Sequence, residues 1–545
     1  MEKFITDIKN QKVTLSGWVV TFVCILFVRF IFESLSSHSS TGVITSDPYT
    51  LVHYGLFFLA TVLGTICILG FSTKDYQVSA KIILFGLPVI WIAPIIDLLL
   101  SRGLGFKMTY VFESGSRLIY DFFTFFGSNA SQGATYGIRV EILIILISVF
   151  YFVWKTEKNL LKASLTTLST YILGFVLGSL PGVLYTLIHL HGVGVSEILT
   201  YFQNTIVNSN ILHNTLHEGS LLVSNIRFFE LGFDKLMSQI LFIISCIFGG
   251  ILFWKINSQK FLAVVKNSRP ERLNFYLASL ACGAGYAYIN DLGNKFVWID
   301  TLGFICLMIA WTALWMHAVH LNDIIDIEID KISNTERPLI KKELSEKEMS
   351  EIGFLFLVIA LFGSWSAGFY PFFMSLVYAA ASYIYSAPPL RLRRFPIVSS
   401  FLISVACLST ILAGFFYVSI HKEIQVFPIL LAVGIIIIVT LAINFKDMKD
   451  IEGDKAEGVM TIGTLFGNRA PIIIGLCMAL AILLVPIFLS FYLLYIFAIP
   501  ASIISYRLIT KKPYKEKPIF ILRFVFLACI ALSYLAIYWL AKHAL

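Results

Sequence analysis

TLGFICLMIAWTALWMHAVHLNDIIDIEID, residues 301–330, is an apolar stretch that ends in three carboxylates. Asp323, Asp326 and Asp330 stand at i, i+3 and i+7. On a helix turning ~100° per residue they share an arc of roughly 60°. The spacing returns far along the chain, where Asp447, Asp450 and Asp454 in DMKDIEGD close a second apolar stretch. Six carboxylates on two facing helix ends repel one another unless cations bridge them. Even one charge inside a membrane helix costs at least about 2.5 kcal/mol. The pairing therefore needs a chemical reason.

Working outward, the 545 residues are 58% hydrophobic and only 14% charged, where a soluble domain is nearer a quarter charged. Apolar runs long enough to cross a bilayer recur throughout. The chain reads as an all-α polytopic membrane protein. Six spans are expected before residue 257, near 15–33, 51–71, 82–100, 139–154, 164–190 and 236–254. Nine more follow, near 273–291, 299–322, 350–369, 371–386, 397–418, 426–445, 470–488, 490–508 and 519–541. The polar, basic stretch from Lys255 to Arg272 reads as a linker, giving domains at 1–256 and 257–545. Leu15–Phe32 follows a basic start without a small-residue cleavage site, so it is read as a first span and not as a signal peptide.

The net charge of +8 is spread over many short loops, which argues against a nucleic-acid footprint. Every second loop is basic, as with Lys155, Lys158 and Lys162, or Arg391, Arg393 and Arg394. The positive-inside rule then places the N-terminus and both acid triads in the cytoplasm and the C-terminus outside, across the cell inner membrane. Residues 101–139 are the exception, an outer segment with four basic residues. The eight cysteines all fall in apolar stretches and form no CxxC, so neither disulfides nor a zinc site are expected.

Carboxylates at this spacing suit Mg²⁺, a hard cation usually held by one or two carboxylates plus substrate phosphates. Two such clusters can flank a diphosphate and stabilise it as a leaving group. Ionising an allylic diphosphate leaves a carbocation, which an apolar, aromatic cavity shields from water. Three other readings stay open: solvated loop acids, an ion-coupled transporter with acidic relay sites, or a scaffold without catalysis.

The flanks sharpen the choice. NDIIDIEIDKISNTERPL (322–339), YSAPPLRLRR (385–394) and KDMKDIEGDKAEGVMTIGTLFG (446–467) together resemble the UbiA superfamily of intramembrane prenyltransferases, over about 257–545. The resemblance implies nine helices around a cavity open to lipid, with Mg²⁺ joining two Asp motifs to a polyprenyl diphosphate. By motif position, Asn322, Asp323, Asp326 and Asp330 would form the first metal motif and Asp447, Asp450 and Asp454 the second. Asp323, Asp326, Asp447 and Asp450 would carry catalysis. Arg337, Arg391 and Lys446 are diphosphate contacts by the same reasoning, since cations there complement phosphate oxygens. Tyr385 either faces the cavity near the diphosphate or anchors its helix at the interface. The complete second motif is similar to the branch that prenylates glyceryl-phosphate lipids, chlorophyllides or aromatic quinone precursors. A terpene cyclase or a polyprenyl-phosphate phosphoribosyltransferase on the same scaffold is the alternative.

Residues 1–256 match no known pattern. Pro181, inside Leu165–His189, predicts a kink or a break in the fifth span. The segment after Arg102 has helical stretches suited to the interface. His189, His191, His213 and His217 read as solvated or capping residues, although His213 and His217 stand at i, i+4. Arg139 and Glu141 read as an ion pair at a helix end.

Overall fold

The computed structural model describes residues 2–36, 48–100, 109–127, 133–189, 195–211, 228–290 and 296–543. His191, His213 and His217 lie outside them. The ordered elements of the described residues are helices, with no strand among them. Among the described residues thirteen helices are long and apolar enough to cross a membrane, six before residue 257 and seven after it. The chain is a polytopic membrane protein.

Fifteen spans were expected, and among the described residues a helix stands at each of them, two falling outside the thirteen. Residues expected as spans 273–291 and 371–386 do form helices, Pro270–Asn290 and Phe369–Ser386. Tyrosines and serines, with charged residues and Asn in the first, keep them out of the thirteen, and each buries a polar or small-residue face in protein. Gly283 on the first of them and Gly414 on helix Pro396–Val418 show why. A Cβ on Gly283 would stand 1.9 Å from the Ile411 carbonyl, and one on Gly414 would stand 2.0 Å from the Leu280 carbonyl. The two backbones touch where both chains have glycine, the usual device of helix packing in membranes.

Two compact units divide the chain. The first comprises residues 1–261 with 297–303, and the second 262–296 with 304–545. In the first, the fifth span breaks, one of the two outcomes expected at Pro181: Leu160–Gly178 ends at Ser179, and Leu180–His189 carries Pro181. Glu141 does not pair with Arg139. It accepts a 3.1 Å bond from Arg29, while Arg139 donates to the carbonyls of Phe126, Gly127 and Ala134. His189 packs between the rings of Tyr185 and Tyr201, at centroid distances of 4.6 and 4.8 Å. Deeper in this unit Asp234 accepts from Thr50 at 2.5 Å and meets His53 Nδ1 at 2.7 Å; His53 Nε2 in turn reaches the Tyr110 hydroxyl at 2.5 Å.

In the second unit, the core gathers Leu280, Leu307, Trp311, Leu314, Tyr378 and Phe416. Trp311 donates to Thr410, and Trp315 donates to the Ser268 carbonyl. The second bond ties the stretch before Pro270 to helix Trp298–Ile325, which carries the start of the first triad.

Candidate active site

The first triad does not ride on one helix. Trp298–Ile325 ends between Asp323 and Asp326, and Ile327–Ser333 begins a new turn that carries Asp330. The second triad repeats this break. A 3₁₀ segment, Ile443–Lys449, holds Asp447, and helix Ile451–Ala456 holds Asp454. Asp326 and Asp450 occupy the breaks as N-cap residues.

The two short helices pack together at Gly453. A Cβ there would sit 2.6 Å from Ser333 Oγ, 3.0 Å from Ile329 Cγ2 and 3.1 Å from the Ile329 carbonyl. This close approach lets Asn334 reach across. Its amide donates to Asp330 at 2.8 Å and to Asp450 at 3.1 Å. Arg393 makes the second bridge, with Nη1 on Asp326 and Nη2 on Asp454 at 3.1 Å. Each bridge joins one motif to the other.

Asp323, Asp326, Asp330 and Asp454 are buried, and Asp447 and Asp450 are half-buried. Asp323 accepts from Asn267 at 2.7 Å and pairs with Arg269. Asp326 accepts from Arg391 at 3.0 Å, and also from Arg393 and Asn322. Arg337 stands 3.9 Å from Asp330 and donates to Asn267 at 3.3 Å. Lys446 stands 3.8 Å from Asp447, donates to the Tyr385 hydroxyl at 2.7 Å and lies over its ring. The three cations expected to meet a diphosphate thus flank the acids, and Tyr385 points its hydroxyl at one of them.

The electrostatic puzzle is largely met by the protein's own arginines. Burial still leaves a residue of it. The Asp330 carboxyl is pushed up to about 6 by desolvation and by the neighbouring Asp323. Desolvation pushes Asp454 up to about 6 as well, against the pull of Arg393. Asp454 Oδ2 is buried and has no hydrogen-bond partner among the described residues. A buried carboxylate oxygen without a donor is costly and favours an added cation. Among the described residues no three acids, histidines or cysteines close into a metal cage. Mg²⁺ does not need one, because water and substrate phosphates complete its shell.

Four participants are absent from the expected site residues, Asn334 among them. Asn267 and Arg269 come from the stretch read as a linker, and Arg393 was counted as a loop charge. One signal existed for Arg393: it shares the short YSAPPLRLRR run with Arg391. Arg269 and Arg391 both hold left-handed backbone, with φ of 51° and 41°. Such outliers in non-glycine residues cluster at functional sites.

Residues 276–539 match the UbiA prenyltransferase family. Naringenin 8-dimethylallyltransferase 2 of Sophora flavescens is 29% identical over 195 residues, covering 33% of this chain and 46% of its own. Digeranylgeranylglyceryl phosphate synthase of Sulfolobus acidocaldarius is 28% identical over 187 residues, covering 33% and 65%. The chain thus spans from under half to just under two thirds of the length of these curated relatives. A solved UbiA homolog from Archaeoglobus fulgidus, bound to GPP and Mg²⁺, aligns with 50% of this chain and 99% of its own, at 17% identity and a TM-score of 0.40.

Proposed function

We propose, from the UbiA prenyltransferase family domain at residues 276–539, that this chain moves a polyprenyl group from its diphosphate to a lipophilic acceptor within the membrane. One observation carries the reading. Asn334 and Arg393 lock two carboxylate motifs, far apart in sequence, into one polar site at the ends of apolar helices. A transporter relay needs isolated acids along a path and has no use for two such bridges.

Asn322, Asp323, Asp326, Asp330, Asp447, Asp450 and Asp454 would hold Mg²⁺; the orphaned Asp454 oxygen and the all-oxygen donor set fit a hard cation. When bound, the metal would neutralise charge on the diphosphate as it leaves. Arg337, Arg391 and Lys446 bind the remaining phosphate oxygens as donors. The allylic C–O bond breaks, and its electron pair leaves with the diphosphate. The acceptor's nucleophilic carbon or oxygen bonds to the prenyl cation and sheds a proton. For an alcohol acceptor, a triad carboxylate is the base at hand.

The acceptor class we favour is the one named among the relatives: aromatic rings and glyceryl phosphates. In this reading residues 257–545 form the transferase, the N-terminus and both motifs face the cytoplasm, and the C-terminus lies outside. Protein-containing membranes are given labelled geranylgeranyl or farnesyl diphosphate and a panel of acceptors. Loss of diphosphate release in both Asp323→Ala and Asp447→Ala is expected, and unchanged release in both defeats the reading. Product formed without any acceptor would mean cyclisation instead.

A further inference from the structure

The second unit holds a cavity of about 450 Å³ between helices Pro270–Asn290, Ile429–Ala442, Ala470–Phe488 and Lys517–His543. Its wall is almost wholly apolar, and among the described residues one cation stands in it: Arg523. This arginine sits six residues into an apolar span that begins at Lys517. Its guanidinium is packed over two rings, 5.0 Å from the centroid of Phe275 and 5.2 Å from that of Phe445. No ion pair among the described residues includes it. Nη1 is closed off from solvent and has no hydrogen-bond partner among those residues.

Four other polar side chains of the wall are committed. Ser279, Asn290, Ser505 and Tyr534 each donate to a backbone carbonyl. Phe445 immediately precedes Lys446 and Asp447 in the chain, so the guanidinium rests on a ring of the segment that carries the second carboxylate motif. A charged side chain within a membrane span is retained where it meets a partner of opposite charge or a wet path. Here the protein supplies rings on the faces and, among the described residues, no acceptor for the buried Nη1. A planar guanidinium held in this way suits the paired oxygens of a carboxylate or phosphate.

We infer that Arg523 anchors an anionic group, carboxylate or phosphate, on the acceptor, and so selects acidic lipophilic acceptors over neutral ones of the same shape. The inference rests on the transferase reading above and gives its acceptor site a charge. Snorkelling toward the membrane surface is the competing explanation.

The test uses full-length protein in nanodiscs and matched acceptor pairs. One pair is a hydroxylated aromatic acid and its methyl ester; the other is a glyceryl-phosphate ether lipid and its dephosphorylated alcohol. Binding of each is first measured without donor, so that the anchor is read even where no turnover occurs. The wild type is expected to bind the acid of one pair more tightly than its neutral partner, and the pair that does so identifies the anion. Arg523→Met should weaken that acid about ten- to a hundredfold, the loss of a charge-assisted contact. The neutral partner and the donor KM should stay within about twofold. Arg523→Lys should fall between.

A wild type indifferent to the acid in both pairs overturns the inference without any variant. So does a rise in donor KM with unchanged acceptor binding, which would make Arg523 a diphosphate contact. Equal losses for acid and neutral partner would assign it a packing role. Failure of the transferase reading shows separately, as absent diphosphate release in the wild type.

Discussion

Gly453→Ala tests whether the two carboxylate motifs work as one packed unit. In an open helix this change stabilises by about 0.5–1 kcal/mol, because alanine loses less backbone entropy. Here the added methyl meets Ser333 Oγ at 2.6 Å, Ile329 Cγ2 at 3.0 Å and the Ile329 carbonyl at 3.1 Å. The hydroxyl can rotate away, but the carbonyl belongs to the neighbouring helix, which must retreat by a few tenths of an ångström. Overpacking of this kind costs about 1–3 kcal/mol, so the net change is destabilising by up to about 2.5 kcal/mol. The retreat also stretches the Asn334–Asp450 bond, now 3.1 Å, toward the limit of a hydrogen bond. A displacement of ~1 Å in a catalytic constellation costs on the order of a hundredfold, so a third of that predicts a loss of about three- to tenfold. The assays are thermal unfolding in nanodiscs and the initial rate of diphosphate release from labelled geranylgeranyl diphosphate. Ser333→Ala in the Gly453→Ala background removes the shortest contact and should restore part of both losses, a coupling of about 0.5–1 kcal/mol. If Gly453→Ala raises stability and leaves the rate within twofold, the helices are not pressed together there and the shared-site argument fails.

Arg393→Met removes the cation from buried Asp326 and Asp454 together; unfolding should be easier by about 3–5 kcal/mol, and adding Asp454→Asn should recover a measurable part. Chelation of divalent metal should stop diphosphate release, and Mg²⁺ should restore it; release that persists in chelator would remove the metal from the proposal. In the first unit, His53→Ala takes a ring from between Asp234 and Tyr110, so the melting temperature should fall, whereas His53→Gln, which keeps polar atoms in place, should recover part of it.

What could be read from the sequence depended on the range of the interaction. The spans were legible because bilayer thickness imposes a local rule on length and apolarity. The rule also located the helix at Pro270–Asn290, but it did not show that its small residues press against Gly414 and its neighbours. The triads were legible from spacing, yet the helical arc derived from them is broken at Asp326 and Asp450, so their convergence comes from packing at Gly453. Asn267 and Arg269 were out of reach. Nothing near them in sequence marks them, and the Trp315 bond to Ser268 that holds their stretch beside Asp323 spans 47 residues.

The arginines change what the acid clusters mean. Six carboxylates alone would argue for metal by repulsion. In this chain Arg269, Arg391 and Arg393 already engage the first motif, and Arg393 also holds Asp454. Net charge therefore does not compel a metal, and the case for one narrows to particular atoms: the unpartnered Asp454 oxygen and the half-buried Asp447 and Asp450. The asymmetry suggests a division of labour. First-motif acids sit under bidentate-capable cations that a diphosphate would compete for, while second-motif acids are the freer oxygen donors. On this argument Asp447→Ala should lower Mg²⁺ affinity more than Asp326→Ala does. Asp326→Ala, by releasing Arg391 and Arg393, should change donor KM more than metal dependence. Titrating Mg²⁺ at fixed donor, and donor at fixed Mg²⁺, separates the two, and equal shifts in both variants would remove the distinction.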